Sequence, residues 1–433
     1  MVSQSDLRHL LRRTEFVARP ARLAALSSLS LEQAVDDILD TAPNGPPSLP
    51  AGATDPNPAN RWTQYAQGYQ WWVDSMATKP RPLQEKMTLF WHGHFTSSTS
   101  DGVPFDLMMR QNHLYRSLAY GNLRELTQRM AVEPAMIGYL SNASNVVGAP
   151  NENFARELFE LFTLGIGNYA ESDVAASARA WTGHGLGGSH RAYVFRPQQH
   201  DGGQKTIFGV TKNWNGPDVI DEIFANPSKR PVVARFIVRK LWEFFAHAGP
   251  SDVLVQQLAD TFLANDFSIR AVLRAMFLRP EFYSTDARNG LVRSPTEWVV
   301  ALMYHAGPTC SDLWLESRAE TIGQVLFSPP NVAGWKGNSA WTTTSALSGR
   351  AEIAKTVVWW TLRAGGRFDD LSTVSVDVAV DRVAAFFDVE LTPTTRAALV
   401  AHQQAERTAG DDPWWGPTNL LLLTLLSPEF NLA

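Results

Sequence analysis

Asn151-Glu152-Asn153-Phe154-Ala155-Arg156-Glu157-Leu158-Phe159-Glu160-Leu161-Phe162-Thr163-Leu164-Gly165 is the stretch around which the chain is organised. At about 100° per residue, its apolar residues cover a wide arc of a helix and its polar residues gather on the remaining arc. Asn151 is the predicted N-cap, and Gly165 is the predicted stop. The polar arc holds Asn153, Arg156, Glu157 and Glu160. The stretch therefore predicts a packed helix that presents two carboxylates and a guanidinium together.

The composition is that of an ordinary soluble globular protein. Of the 433 residues, 44% are apolar and 19% are charged, which suits one large helical body or two or three domains. A net charge of -5 without a basic run argues against nucleic acid as a partner. Cys310 is the only cysteine, so the sequence excludes an intrachain disulfide and a thiolate zinc cluster.

The beginning of the chain lacks the pattern of a signal peptide. Residues 2–13 carry charges where such a peptide has its apolar core, and no later window approaches about eighteen uninterrupted apolar residues. We therefore predict no membrane span. We expect a cytoplasmic chain, or an exported one without its leader.

Helical periodicity runs through most of the sequence, and one long segment interrupts it. We predict a mainly α fold: a large single helical body, residues 1–433, with long ordered loops and at most a small β-hairpin. The alternative is a division into a motif-bearing half, 1–216, and a helical half, 217–433. In residues 182–216 glycine, histidine and aromatic residues replace the helical pattern, and short strands are predicted at 193–195 and 205–208. A loop of this length is typically functional when it is ordered.

His92-Gly93-His94 is the first patch that could carry chemistry, and Trp91 and Phe95 flank it. In an extended segment alternate residues share a face, so the two histidines could bind one divalent metal ion. In a helix the two side chains would diverge by about 200° and could not. The sequence leaves both cases open.

The polar arc of the opening stretch is the second patch. Glu157 and Glu160 could share a metal ion, or divide acid and base roles if their surroundings separate their pKa values. On the helix alone, the simpler interpretation is a solvated face in which Arg156 pairs with Glu160.

Two loops supply further polar groups. In His200-Asp201-Gly202-Gly203-Gln204-Lys205, the histidine and aspartate could be metal ligands or a general base with its orienting partner. Lys205 could then neutralise an anionic substrate or transition state. The alternative is a turn in which Asp201 accepts from backbone amides. For Asn331-Val332-Ala333-Gly334-Trp335, a rigid buried loop is favoured over a binding lip.

Several common motifs are missing from the sequence. There is no Walker-type phosphate loop, no dinucleotide fingerprint after a strand, no Gly-x-Ser-x-Gly elbow and no His-Glu-x-x-His pair. Nucleotide-dependent chemistry and the usual serine-hydrolase and zinc-protease classes therefore lose most of their support.

Taken in order, the motifs resemble the signature of the bacterial family known as domain of unknown function number eighteen hundred. The resemblance rests on Phe90-Trp91-His92-Gly93-His94-Phe95, the opening stretch, Ala178-Arg179-Ala180-Trp181-Thr182-Gly183, His200-Asp201-Gly202-Gly203-Gln204-Lys205, Pro329-Pro330-Asn331-Val332-Ala333-Gly334-Trp335 and Ser427-Pro428-Glu429-Phe430. It covers nearly the whole chain, although Gly93 stands where relatives often have Asn. The resemblance implies a largely helical body. Members often accompany exported sulfatase-like proteins, which implies an envelope or polysaccharide setting.

The resulting hypothesis is a hydrolase acting on a carbohydrate-like or glycoconjugate substrate, in a pocket between the 151–162 helix and the 182–216 loop. Its predicted catalytic residues are Glu157, Glu160, Arg156, His200, Asp201 and Lys205. Its predicted substrate-binding residues are Trp91, Asn153, Arg179 and Trp335, and a divalent metal ion would use His92 and His94. The alternative is a non-enzymatic helical adaptor or a module that binds a glycan or protein partner through its aromatic residues.

Overall fold

The computed structural model describes residues 2–40, 48–189, 191–288, 290–363, 366–410 and 415–433. The first helices are α1 (Gln4–Glu15), α2 (Pro20–Leu26), α3 (Leu31–Leu39), α4 (Arg61–Thr78), α5 (Leu83–His94), α6 (Phe105–Ser117), α7 (Leu123–Ala131) and α8 (Pro134–Tyr139). They are followed by α9 (Asn153–Glu157), a π-helical turn (Leu158–Thr163) and α10 (Glu171–Ala180). The predicted helical pattern of this part of the chain is confirmed.

Two short hairpins follow α10. Strands β1 (His184–Leu186) and β2 (Tyr193–Phe195) pair antiparallel, and so do β3 (Lys205–Ile207) and β4 (Val210–Lys212). The predicted strands correspond to β2 and β3, and each finds a neighbouring strand as its partner. Because the sheets have two strands of three residues each, the prediction of a mainly α fold with little β-structure is confirmed.

Helices resume after the hairpins and continue to the end of the chain. They are α11 (Gly216–Ala225), α12 (Arg230–Phe245), α13 (Asp252–Ala264), α14 (Ile269–Phe277), α15 (Thr285–Arg288), α16 (Pro295–Ala306), α17 (Leu315–Arg318), α18 (Thr344–Arg363), α19 (Val376–Phe386), α20 (Pro393–Ala409), α21 (Trp415–Leu426) and α22 (Pro428–Asn431). Short 3-10 turns occur at Ala51–Thr54, Thr99–Asp101, Asn142–Ser144, Pro197–Gln199, Pro280–Tyr283 and Asn338–Thr342. Within the described ranges, every helix is too short or too polar to cross a bilayer.

Local sequence sets many of the helix ends. Ser294 begins α16 with a capping box: its hydroxyl accepts from Glu297 N, and the Glu297 carboxylate accepts from Ser294 N at 2.8 Å. Pro295 then occupies the first turn, where its missing N–H costs nothing. At the other end, Gly307 has a φ of 90° and stops the helix in the left-handed conformation. This cap also fixes the position of Glu297, which is important below.

The interior consists of two hydrophobic clusters, and α5 lies where they meet. The first cluster contains Met87 and Phe90 of α5 with apolar residues of α1, α3, α7 and α9 to α14. The second contains Leu89 of α5 with residues of α4, α6, α16 and α18 to α21. Position 216 is the boundary of the alternative division into two halves, and each cluster contains residues from both sides of it. The organisation as a single body stays a prediction. The helix that carries His92 and His94 is therefore surrounded by core.

Glu133 caps α8 although its side chain is buried. Its Oε2 accepts from Ala135 N at 2.7 Å. Burial raises the pKa of Glu133 to about 8, and the backbone amides of Ala135 and Met136 offset part of the effect. The folded state therefore keeps a proton that the unfolded chain releases near the ordinary pKa of 4.5. The stability contributed by this proton is complete below pH 4.5 and is lost as the pH rises through 8.

We expect Glu133→Gln to remove on the order of 3 kcal/mol of pH dependence from the free energy of unfolding between pH 5 and 9. Urea unfolding at several pH values measures this directly. Glu125→Gln, at an exposed position of α7, is the control and should leave the pH dependence in place. Equal pH dependence in wild type and Glu133→Gln would show that the carboxyl is ionised in the folded state.

Candidate functional site

Residues 151–165 form α9 and then a π-helical turn, instead of the single regular helix that was predicted. Asn151 lies one residue outside the helix, where its Oδ1 accepts from Asn153 N at 2.9 Å, so the predicted N-cap is shifted to Glu152. In the π turn, Leu164 N donates to Phe159 O, five residues earlier, at 2.8 Å. Gly165, with a φ of 81°, ends the turn as predicted. The carbonyls of Leu161 and Phe162 lie in the last turn of the segment and are therefore available to other elements.

The polar arc of this segment finds partners beyond its own helix. Arg156 Nη2 donates to Glu171 at 2.6 Å and to Glu152 at 3.2 Å, so the predicted pairing with Glu160 is wrong. Glu160 instead accepts from the hydroxyl of Tyr169. Burial, and then the nearby charge of Glu160, raise the pKa of the half-buried Glu157. Arg156 keeps a local i,i+4 partner in Glu152, and Glu171, which offers it both carboxylate oxygens, takes the place of the predicted partner Glu160.

The apolar arc of the same segment contacts the 182–216 region and its approach. The ring of Phe154 lies 4.9 Å from that of Trp181, and the ring of Phe159 lies 5.2 Å from that of Phe208. These are packed aromatic contacts, and the polar residues lie on the other arc. At these two contacts, aromatic rings occupy the space between helix and loop where a pocket was predicted.

His200, Asp201 and Lys205 form a network with their own loop. His200 Nδ1 donates to Thr182 O at 2.9 Å, and Arg179 Nε donates to Asp201 Oδ2 at 2.7 Å. Lys205 Nζ donates to Trp214 O at 3.0 Å and to Gly203 O at 2.9 Å. The turn interpretation accounts for these contacts, since each polar group fixes the path of the loop.

His92 and His94 lie in the last turn of α5, so the helical alternative is the one observed. His92 Nε2 accepts from Phe327 N at 2.9 Å, whereas His94 Nε2 lies 3.0 Å from Phe162 O. The two rings thus serve different neighbours and do not converge on one ion. Among the residues whose placement is described, no group of three or more His, Cys, Asp or Glu side chains is arranged for a metal ion.

The predicted substrate-binding residues have different surroundings. Trp91 is fully buried and its Nε1 donates to Ala119 O at 3.1 Å, so it is a core residue. Asn153 is exposed and donates to Leu140 O at 3.2 Å. Arg179 is held by Asp201. Trp335, the fourth predicted substrate-binding residue, lies at a cleft, and its ring is 5.3 Å from that of His92.

The cleft beside Trp335, here called the His94 cleft, has a volume of about 290 Å³. Its walls come from α5, α12, α16 and the segment before α18. The residues that line it include Phe90, Gly93, His94, Lys240, Glu243, Phe244, Ser294, Glu297, Gln324, Trp335, Asn338 and Trp341. It combines aromatic rings with polar groups, as small-molecule sites usually do.

The loop at Gly334 is fitted closely against α5. Gly334 has a φ of 79°, and a Cβ at this position would lie 2.3 Å from Gly93 O. Thr96 donates from its hydroxyl to Val332 O on the same side. The favoured interpretation of a buried loop holds at Gly334 but is wrong for Asn331 and Ala333, which are exposed. The close contact at Gly334 places Trp335 on the cleft.

The central contact of the His94 cleft joins His94 to Lys240. Because His94 Nε2 donates to Phe162 O, the neutral ring presents Nδ1 as an acceptor, and Lys240 Nζ lies 3.2 Å from it. Lys240 Nζ also donates to Leu161 O at 3.3 Å. Burial, followed by the charge of Lys240, keeps the pKa of His94 well below its ordinary value. The Leu161 and Phe162 carbonyls, at the end of the π turn, thus orient both side chains.

The amine of Lys240 differs from that of an ordinary surface lysine. Burial lowers the pKa of Lys240 to about 8, and Glu243 offsets part of this effect. Lys240 Nζ lies 4.8 Å from the centre of the Phe236 ring. A lysine with a pKa near neutrality can exchange protons with a substrate, which identifies Lys240 as a functional candidate.

Lys240 also lines a second cleft, of about 480 Å³, on the side of the π turn. Glu160, Arg235 and Arg239 lie in its walls. The structure therefore brings His94 and Glu160 to the two sides of Lys240, while His200, Asp201 and Lys205 belong to their own loop. Lys240 was missed because its local sequence is that of any amphipathic helix. Its partner His94 is 146 residues away, so local sequence carries no signal of the contact.

A comparison with family models identifies the family of the chain. A family model described as "Protein of unknown function (DUF1800)" matches residues 9–432, which is essentially the whole chain. Comparisons with curated proteins and with solved structures returned no match.

Proposed function

Since the chain belongs to the DUF1800 family, whose description names no reaction, we propose from the His94 cleft that the protein is a hydrolase acting on an ester bond of a carbohydrate-like substrate. The contact between Lys240 Nζ and His94 Nδ1, in the wall of a cleft with two tryptophans, is the observation that carries the proposal. Lys240 acts as the general base, and His94 is a positioning residue.

The hydrogen bonds of Lys240 support its role as a base. A neutral amine has two N–H groups and one lone pair. Donation to His94 Nδ1 and Leu161 O uses both N–H groups, so the lone pair is free to accept the proton of an attacking water molecule. With a pKa of about 8, about a tenth of Lys240 is neutral at pH 7, and the fraction rises with pH.

The charges around the cleft favour an ester over a glycosidic bond. Glycoside hydrolysis uses two carboxyl groups, one of which must be protonated to act as the acid. Burial alone would raise the pKa of Glu297, but the adjacent Lys86 and the capping contacts hold it below its usual range. Glu297 therefore cannot supply that proton. In ester hydrolysis, water adds to the carbonyl carbon as Lys240 accepts one of its protons. The bond to the alcohol oxygen then breaks as the protonated Lys240 returns this proton to the leaving oxygen, so no acidic carboxyl group is needed. The two-carboxylate role of Glu157 and Glu160 stays a prediction.

The walls of the cleft support a carbohydrate-like substrate. Trp335 and Trp341 present aromatic rings, and Ser294, Gln324 and Asn338 add hydrogen-bonding groups. Aromatic rings pack on the apolar faces of sugar rings, while amide and hydroxyl groups bond to their hydroxyls.

The experiment is a hydrolysis screen with acetylated oligosaccharides, methyl-esterified oligosaccharides and p-nitrophenyl esters, alongside p-nitrophenyl glycosides. We expect ester cleavage whose rate rises through about pH 8, and a loss of at least about 100-fold in Lys240→Met. Lys240→Arg should be equally inactive because its guanidinium stays protonated. The matched control is Lys355→Met, since Lys355 is 58% exposed.

Two outcomes would contradict the proposal. One is a wild-type protein that cleaves none of the esters. The other is a Lys240→Met variant that keeps its ester activity, which would place the base elsewhere. Cleavage of glycosides alone, with sensitivity to Glu157→Gln and Glu160→Gln, would instead favour the two-carboxylate mechanism.

A second function, a non-enzymatic module that binds a glycan or protein partner, is favoured by three exposed tryptophans. Trp62, Trp314 and Trp359 each present half or more of their surface to solvent. Large exposed aromatic side chains are common at binding sites. A pure binding module predicts that alanine at these positions abolishes binding and that Lys240→Met leaves it intact, whereas the hydrolase predicts the reverse for turnover.

A further inference from the structure

Another cleft, separate from the two that Lys240 lines, lies between the start of α4, the start of α6 and α17. This cleft, here called the Trp62 cleft, has a volume of about 590 Å³. Trp62, Tyr65, Phe105, Asp106, Glu316 and Glu320 are among its lining residues. The residues that line it differ from those of the His94 cleft.

One wall of the Trp62 cleft is an aromatic platform. Trp62 is 54% exposed, and its ring lies 5.5 Å from that of Tyr65. Tyr65 is fixed in turn by Phe105, edge-on at 5.6 Å, and by Tyr69 at 5.7 Å. Because Tyr65 is held on both sides, the exposed face of Trp62 is supported by a rigid neighbour. A supported, exposed indole face suits stacking against a flat apolar surface.

Two buried polar atoms in this cleft have no hydrogen-bond partner within the described part of the chain. They are the hydroxyl oxygen of Tyr65 and Oε2 of Glu316. Burial is the largest cause of the raised pKa of Tyr65, and the Cys310 thiol and the Glu316 carboxylate add to it. Tyr65 and Glu316 line the same cleft. A buried hydroxyl and a buried carboxylate oxygen together require a ligand group that accepts one hydrogen bond and donates another.

The identity of that ligand group follows from hydrogen-bond chemistry. A ligand hydroxyl accepts from Tyr65 and donates to Glu316 at the same time. An ammonium group only donates, so it would leave the Tyr65 proton without an acceptor. A carboxylate or phosphate only accepts, so it would be repelled by Glu316.

The remaining charges of the cleft nearly cancel. Asp106 accepts from Arg191, which also donates to Pro56 O at 2.7 Å and so closes one rim of the cleft. Apart from this pair, the charged lining residues are Arg61, Glu316 and Glu320. One cation against two anions leaves a net charge of only -1 on the lining, and the platform adds an uncharged surface for stacking.

We propose that the Trp62 cleft binds a sugar ring of a neutral oligosaccharide, with the ring stacked on Trp62 and one of its hydroxyls bonded between Tyr65 and Glu316. The site is separate from the His94 cleft and does not depend on the proposed hydrolase activity.

Isothermal titration calorimetry with the full chain tests the site. The probes are the hexasaccharides of cellulose, chitin, xylan, mannan and starch, with spermidine and hexalysine as cationic comparisons. We expect one or more of the hexasaccharides to bind, and Trp62→Ala and Glu316→Gln to weaken that binding at least tenfold. Tyr65→Phe should also weaken it while leaving the melting temperature unchanged or raised, because it only removes a buried unpaired hydroxyl. Val253→Ala, at a residue 68% exposed on α13, is the control and should bind as wild type does.

The outcomes separate this proposal from the preceding one. Lys240→Met should bind the hexasaccharide normally. Binding of a hexasaccharide by the wild type, together with no cleavage in the ester screen, would overturn only the hydrolase. Ester cleavage by the wild type, with no effect of Trp62→Ala, Tyr65→Phe and Glu316→Gln on hexasaccharide binding, would overturn only the Trp62 cleft. Failure of all five hexasaccharides to bind, or binding of the cationic probes alone, would overturn the sugar assignment.

Discussion

Replacing Glu297 with glutamine should lower the free energy of unfolding by about 3–5 kcal/mol, because it leaves buried cations without their carboxylate. Lys86 is buried and donates directly to Glu297. Arg13, Arg293 and Arg350 are also buried, and each is stabilised in its charged form by the same carboxylate. One acidic group thus compensates four buried basic groups.

Burial disfavours the charged form of each of these arginines. Burial lowers the pKa of Arg13 to about 9 and that of Arg293 and Arg350 to about 10, even though Glu297 offsets part of each shift. Without the carboxylate, we expect Lys86 to lose its proton, because this change costs less free energy than keeping a buried ammonium group unpaired. The double variant Glu297→Gln/Lys86→Met should therefore be more stable than Glu297→Gln alone.

Urea unfolding of the single and double variants measures both effects. Glu352→Gln is the control, since its pair with Lys355 is exposed and should contribute less than about 1 kcal/mol. A loss below about 1 kcal/mol in Glu297→Gln would show that the four cations are neutralised in another way.

Glu85→Gln should have an effect of similar size, about 3–5 kcal/mol, through a second buried ion pair. Arg116 and Glu85 are both fully buried, with Nη2 to Oε2 at 2.7 Å and Nε to Oε1 at 3.0 Å. Trp72 Nε1 also donates to this carboxylate at 2.9 Å, and Lys79 forms a further ion pair with it. A neutral amide cannot serve all of these donors, so charge and hydrogen bonds are lost together.

Glu85 lies in α5, so its loss should also disturb the end of the helix that carries His92 and His94. Chemical denaturation gives the change in stability, and near-ultraviolet circular dichroism reports the packing of Trp72 and its neighbours. Asp36→Asn provides the comparison, because the Asp36–Arg274 pair is about half exposed and should contribute under about 1 kcal/mol. Equal losses in the two variants would mean that burial does not strengthen the Glu85 pair.

Much of the fold could be predicted because it depends on local patterns. Prolines at 80 and 82 separate α4 from α5, and Asn122 caps α7 after the interruption at Gly121. The π turn could not be predicted in this way. An apolar arc is compatible with either an α-helical or a π-helical ladder, and packing against α5 and α12 decides between them.

The candidate site was less accessible to sequence reasoning because its contacts are long-range. From the sequence, His92 and His94 could lie on one face of an extended segment or on different faces of a helix. Because α5 is helical, the two side chains contact different neighbours. Arg156 had an acceptable partner in Glu160 by spacing, yet Glu171 binds it in the folded chain. Lys240 has nothing unusual in its neighbourhood until α12 packs beside His94 and the π turn.

Because backbone carbonyls at the π turn Leu158–Thr163 hold Lys240 and His94, the site depends on the number of residues in this turn more than on their side chains. The Leu161 and Phe162 carbonyls lie in the last turn of the segment, where a helix offers them no N–H group, and the wider π ladder sets the direction in which they meet Lys240 and His94. Alanine scanning leaves both carbonyls in place. Deletion of a single residue would restore the regular ladder, rotate the following segment by about 100° and withdraw both acceptors at once. In this protein a one-residue deletion is therefore a more severe change to the site than most substitutions within the same turn.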